Sequence, residues 1–167
     1  EMKLGLVGSE MCIRDRRSLI ARASCQKGIP QGRIKKLGFI DIKKAFFHAK
    51  AKRLVYVALP AEFCEPGEFG KVCGRLNYSL YGTRDAAQNW FECYSEALIS
   101  IGFKQGAASP CVFHHADRDI STVVHGDDFT SLATEANLLW FRDELMKFFQ
   151  IDDRGIMGPD AHDVKDC

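Results

Sequence analysis

The sequence predicts an α+β fold, an antiparallel sheet with helices packed on one face. Three observations point there. From Leu37 onward the order reads strand, short helix, strands, helix, strand hairpin, helix. Two segments repeat apolar residues at helical spacing, whereas the apolar runs between them are short and β-branched. The chain has 167 residues, of which 46% are hydrophobic and 27% charged. That is enough apolar side chain for one domain with a real core.

Residues 1–16 read as foreign to the rest. The stretch Leu4-Gly-Leu-Val-Gly-Ser-Glu-Met-Cys-Ile-Arg-Asp-Arg16 resembles translated adapter read-through at the end of an assembled sequence. It has neither the apolar core nor the cleavage site of a signal peptide. It is therefore expected to be a non-native or disordered extension. Arg17 to Cys25 predicts a short helix, ended by the loop Gly28-Ile-Pro-Gln-Gly32. Leu37-Gly-Phe-Ile40 predicts a strand that ends at Asp41, and Ile42 to Lys50 a helical turn or two. Leu54-Val-Tyr-Val-Ala-Leu59 alternates and predicts a strand. Pro60 and Pro66-Gly-Glu-Phe-Gly70 are loop, and Lys71 to Tyr81 predicts a hairpin turning near Gly74 or Asn77.

The clearest helix spans about Asp85 to Ile101, with Ala87, Trp90, Phe91, Tyr94, Leu98 and Ile101 apolar and Gly102 placed to cap its end. Strands follow at Cys111 to His115 and Ile120 to His125, around the turn Ala116-Asp-Arg-Asp119, and again at Phe129 to Ala133. Glu135 to Phe149 predicts a second long helix, with Thr134 as N-cap. The Gly-, Pro- and Asp-rich tail from Asp152 is expected to fray, with residues 159–167 flexible.

The net charge of +1 conceals a polarised chain. Arg14 to Arg53 carries 13 basic and 2 acidic residues; Asp117 to Cys167 carries 5 basic and 12 acidic. A basic front can lie along a phosphate backbone, and an acidic back can gather magnesium. No apolar run approaches the ~20 residues that span a bilayer, so no membrane partner is expected. The seven cysteines form no Cys-x-x-Cys pair and read as reduced, scattered intracellular thiols.

The chemistry concentrates in Thr122-Val-Val-His-Gly-Asp-Asp-Phe-Thr130, an apolar strand, a tight turn with two carboxylates and a second strand. Asp41 ends an earlier strand. Two adjacent aspartates in a turn are by themselves ordinary turn residues. Three acids at strand ends, however, can hold two Mg2+ ions, with Mn2+ as an alternative. Paired ions of this kind make a hydroxyl nucleophilic and neutralise a departing pyrophosphate. Asp41 and Asp127 would bridge the ions and Asp128 would support them. A zinc site from Cys111, His114 and His115 is disfavoured, because strand alternation sends His114 to the opposite side.

Four segments then resemble one family in order and spacing, from about Arg17 to Gly158. Asp41-Ile-Lys-Lys-Ala-Phe-Phe-His48 resembles the first polymerase motif of reverse transcriptases. Ser79-Leu-Tyr-Gly-Thr-Arg-Asp-Ala-Ala-Gln-Asn-Trp90 resembles the copia-type signature Ser-Leu-Tyr-Gly-Leu-Lys-Gln-Ala-Pro-Arg-x-Trp. Gly102-Phe103 with Ser109-Pro-Cys-Val-Phe113 resembles Gly-Phe and Asp-Pro-Cys-Val-Phe. His125-Gly-Asp-Asp128 stands where the family carries Tyr-Val-Asp-Asp. The chain is thus similar to the palm, with partial fingers, of a copia-type retrotransposon reverse transcriptase, an RNA-directed DNA polymerase.

The resemblance implies metal binding and catalysis by Asp41, Asp127 and Asp128. It implies nucleotide contacts from Ala45, Phe46, Tyr81 and Gly82. Phe46 would exclude a 2′-hydroxyl, and Gly82 would let template and nucleotide approach the backbone. Arg84 and His125 would meet nucleic acid. Implied partners are an RNA or DNA template with primer, dNTPs, and the integrase and ribonuclease H of a polyprotein. The implied setting is a cytoplasmic particle, with DNA later reaching the nucleus. For Trp90 the residue pattern favours core packing.

The chain departs from the pattern at His125, where the family has tyrosine, and at Gly126, Asp85 and Ala87. Fingers residues upstream and a thumb downstream are expected to be missing. Two rivals remain: a palm-type nucleotidyl cyclase, which would use GTP alone, and a decayed remnant that binds nucleic acid without chemistry. Residues 1–167 are expected to show little or no primer extension on their own, and robust turnover in a primer-extension assay would refute this.

Overall fold

The structure, a computed structural model, describes residues 4–26 and 28–159. In chain order its elements are α1 (Leu4–Ser24), β1 (Lys36–Ile42), a 3-10 turn (Ala45–His48), β2 (Tyr56–Ala58) and β3 (Cys73–Arg75). There follow α2 (Ala86–Ser100), β4 (Lys104–Gln105), β5 (Val112–His115), β6 (Ile120–His125), β7 (Asp128–Ala133), α3 (Glu135–Met146) and β8 (Ile151–Met157). The architecture is α+β, as predicted. The chain divides into two compact units, one drawn from residues up to Lys43 and from Ser95 on, the other from Lys44–Tyr94. No helix among the described residues is long and apolar enough to cross a membrane.

The first unit is built on a six-stranded sheet in the order β4-β5-β6-β7-β1-β8, with each neighbouring pair antiparallel. Strand β1 is buried throughout except at Asp41. Its side chains alternate between faces. Leu37 and Phe39 meet Leu19 of α1, together with Cys111, Val123 and Leu132. Gly38 faces the other way, against α3, where a Cβ would come within 3.0 Å of Leu138 Cδ2. Helices therefore cover both faces, not the one face expected from sequence. A strand buried on both sides reads as a continuous apolar run, and Leu37-Gly-Phe-Ile40 is one. Inside, Phe103 and Phe141 rings sit 5.0 Å apart, and His115 stands edge-on to Phe103 and to Trp140.

Helix α1 is longer than predicted. The segment from Leu4 to Arg16, expected to be a non-native or disordered extension, is helical and continuous with Arg17 to Ser24. The chain supplies a reason on that helix, since Cys12, Leu19 and Ala23 all pack into the core cluster. The tail differs too. Ile151–Met157 is a strand paired with β1, not a frayed end. Its Asp and Arg residues suit an edge strand, where one side meets water. The expected flexible tail, residues 159–167, lies outside the described residues beyond 159.

The end of α2 follows a Schellman pattern, with Gly102 N donating to Ile99 O and Phe103 N to Leu98 O, and φ 100° at Gly102. Thr134 takes the N-cap position of α3 but its side chain makes no capping hydrogen bond. At the same end, buried Lys36 reaches Glu135 through a 2.9 Å ion pair.

In the second unit, β2 and β3 pair as a small two-stranded sheet, with Val57 opposite Gly74. The expected self-contained hairpin of Lys71 to Tyr81 does not form. Its apolar alternation is too short to pair with itself, and Cys73–Arg75 pairs with the earlier strand instead. Trp90 is 2% exposed, its ring 5.4 Å from that of Tyr94, which fits the packing role read from sequence.

Phe141 is fully buried against Phe103. Phe141→Ala is expected to lower unfolding stability by about 3–5 kcal/mol, measured by urea denaturation.

Candidate active site: a row of carboxylates

The hairpin of β6 and β7 turns through Gly126 and Asp127. Gly126 has φ 65°, whereas Asp127 does not share that conformation. A positive φ at the first central residue alone is the type II′ pattern, whose twist suits adjoining strands. The turn leaves Asp127 exposed at the tip and returns Asp128 opposite His125.

Strand β1 lies on the other side of β7. Ile42 N donates to Asp127 O at 3.0 Å, which makes Ile42 and Asp127 a hydrogen-bonded pair. The neighbouring pair, Asp41 opposite Asp128, is then the non-hydrogen-bonded kind, with Cα atoms about 4.5 Å apart and side chains on the same face. On the far side of β1, Asp41 is opposite Asp152 of β8. Four strands thus set His125, Asp128, Asp41 and Asp152 in one line across the end of the sheet, with Asp127 at the adjoining tip.

Three carboxylates in a line repel one another unless cations intervene. Two arginines approach. Arg154 Nη2 lies 3.5 Å from Asp41 Oδ2, and its Nε lies 3.3 Å from Asp152 Oδ2. Arg16 of α1 stands 4.0 Å from Asp128 Oδ2, with its guanidinium 6.0 Å from the Phe39 ring centre. The Asp41 side chain is 22% exposed and that of Asp128 50%, so water and ions reach both.

The donors are hard carboxylate oxygens, the kind Mg2+ and Mn2+ take. The residues present therefore fit a divalent cation by chemistry. Among the described residues no group of three or more His, Cys, Asp or Glu side chains converges closely enough to hold an ion as it stands. The backbone register is set, and the side-chain ends are not gathered.

Of the other residues singled out from sequence, all but His125 belong to the second unit. Ala45 is buried at the start of the 3-10 turn. Phe46 is half-buried, its ring 4.4 Å from Tyr81, and Phe47 also meets Tyr81 at 5.9 Å. Tyr81 is half exposed, and Arg84 is exposed. Gly82 has φ 86°, and a Cβ built there meets nothing within 4 Å. Glycine is required at that position by its backbone conformation, and the space above it is open. His125 is exposed beside the turn.

Residues 31–158 match the family model described as Reverse transcriptase (RNA-dependent DNA polymerase). The chain belongs to the reverse transcriptase family. It is also 27% identical over 120 residues to the Retrovirus-related Pol polyprotein from transposon TNT 1-94 of Nicotiana tabacum. The match covers 70% of this chain and 9% of that relative, so the chain spans a small part of the relative's length. Asp41, Asp127, Asp128 and Asp152 all fall inside the segment matched to reverse transcriptases.

Sequence reasoning missed Asp152 and Arg154, because Asp152 opened a stretch read as a fraying tail. No local signal marks that stretch as a strand, which forms through pairing with β1. Asp85, a departure from the copia-type signature, has a local role in this member of the reverse transcriptase family. It precedes α2, where a negative charge is favourable. It accepts from Arg53 Nη2 at 2.7 Å and from Asn89 Nδ2 at 3.3 Å.

The hydrogen bond from Arg53 holds the Asp85 carboxyl down at about 2, below its ordinary 3.8. A depressed carboxylate stabilises the fold above its unfolded value and loses that contribution as pH falls through the folded one. Wild type is therefore expected to exceed Asp85→Asn in stability at pH 6. Denaturation curves at falling pH are expected to converge between about pH 4 and pH 2.

Proposed function

We propose that the chain is part of the polymerase palm of a copia-type retrotransposon Pol polyprotein. In this reading the polymerase of that polyprotein extends a primer with deoxynucleotides on an RNA or DNA template, and this chain supplies its acids while turning over little or not at all alone. The observation that carries the proposal is the register of Asp41 against Asp128, with Asp127 next to it, inside the segment matched to reverse transcriptases. The matched relative's name, a retrovirus-related Pol polyprotein from a transposon, supports the same setting. Integrase and ribonuclease H partners, and a cytoplasmic particle, belong to this proposal.

Asp41, Asp127 and Asp128 would hold Mg2+ or Mn2+. Bound in pairs, such ions make a primer hydroxyl nucleophilic and offset the charge of the leaving pyrophosphate. The chain's own residues do the positioning. The Ile42–Asp127 backbone hydrogen bond fixes the acidic turn against β1, so the backbone that carries the carboxylates needs little reorganisation. Phe46, steadied by its contact with Tyr81, is suited to exclude a 2′-hydroxyl and so favour deoxynucleotides. The open face of Gly82 admits a base or sugar edge close to the backbone. Arg84 and His125, both exposed, are available to phosphate and to a primer end.

The test is deoxynucleotide binding with and without Mn2+. Metal-dependent binding of dNTPs, lost by at least about tenfold in Asp41→Asn and Asp127→Asn, is the expected result. Binding of GTP alone would indicate a cyclase. Salt-sensitive RNA binding with no metal response would indicate a remnant without the chemistry.

A further inference from the structure

Arg154 sits where a cation between two of the acids would sit. It shares a strand face with Asp152, two residues away, and leans across to β1. One edge of its guanidinium meets each carboxylate, Nη2 toward Asp41 at 3.5 Å and Nε toward Asp152 at 3.3 Å. A planar guanidinium cannot lose its proton, so it is a permanent positive charge at this point of the row. The side chain is 54% exposed, which leaves it room to swing into water. Exposed ion pairs of this kind are weak, and their release costs little. Arg16 is a lesser presence, since 4.0 Å to Asp128 is too long for a hydrogen bond.

We propose that Arg154, bridging Asp41 and Asp152 across β1 and β8, is an internal counter-cation that competes with divalent metal for Asp41. It is a positioning residue, acting through the carboxylates. With no metal it relieves repulsion along the row and ties the edge strand β8 to its neighbour. When metal binds, its hold on Asp41 is exchanged for the ion. Arg154 thereby sets how much free divalent cation the site requires. Asp152, left with the arginine, keeps the displaced side chain near. The inference rests on the polymerase reading of Asp41.

The experiment is Mn2+ titration of the full chain, followed by the electron paramagnetic resonance of free Mn2+. It uses wild type, Asp41→Asn, Arg154→Gln and Arg154→Lys, together with melting curves without metal. Removing one positive charge about 5 Å from a divalent ion in a watery site is expected to tighten Mn2+ binding by about five- to tenfold in Arg154→Gln. Arg154→Lys keeps the charge and is expected to stay within about twofold of wild type. Arg154→Gln is also expected to melt lower without metal and to regain stability as Mn2+ is added. Equal Mn2+ affinity in wild type and Arg154→Gln, with Asp41→Asn still weakened, would overturn the competition while leaving the metal centre intact. Tightening in Arg154→Lys as large as in Arg154→Gln would overturn the role of charge. Wild-type binding indifferent to Asp41→Asn would overturn both the inference and the reading beneath it.

Discussion

The structure depends on one strand. β1 is paired on both sides, to β7 and to β8, and is covered on both faces. Its register with each neighbour is fixed by burial, because a slip of one residue would turn Leu37 and Phe39 to the face of Gly38. Gly38 exists to let Leu138 close on the sheet, so the opposite face has no room for a phenyl ring. The same register leaves Asp41 opposite Asp128 and Asp152. The apolar interior thus determines which acids become neighbours, at the end of the sheet where the strand meets water.

Acids so placed have an electrostatic cost that the backbone alone cannot relieve. Arg154 and Arg16 come from different elements, and each approaches a different member of the row. The basic front and acidic back visible in the sequence are in this way partly folded onto one another. Arg16 comes from the basic segment, and the hairpin acids from the acidic one. A row of acids that draws arginine in this way offers the hard oxygens that suit a divalent ion, since both cations answer the same excess of negative charge. That is the physical link between the fold of this reverse transcriptase family member and the chemistry proposed for it.

Much of this was legible in the residues. Ile120 to His125 and Phe129 to Ala133 read as strands because their β-branched and aromatic runs are bounded by a polar turn. The long helix before Gly102 read clearly because its stripe repeats at helical spacing and ends on a glycine in the left-handed region. That Asp41 and the acidic turn both lie at strand ends could be read from sequence, and the sheet sets them on neighbouring strands. Asp152 could not, because Asp152-Asp-Arg-Gly155 has the composition of a loop and becomes a strand only through pairing with β1. Tertiary pairing overrode local propensity there. The covering of both faces was likewise hidden, since α1 carries few signals of its own and is anchored by Leu19 and its neighbours in the core.

The most direct test of the central claim is a crystal structure of the chain grown with Mn2+, read by anomalous scattering. An Mn2+ peak is expected within bonding distance of Asp41 and of at least one carboxylate from the Asp127–Asp128 turn, with Arg154 turned away from Asp41. Mn2+ bound elsewhere on the surface, with Asp41 still held by Arg154, would contradict it.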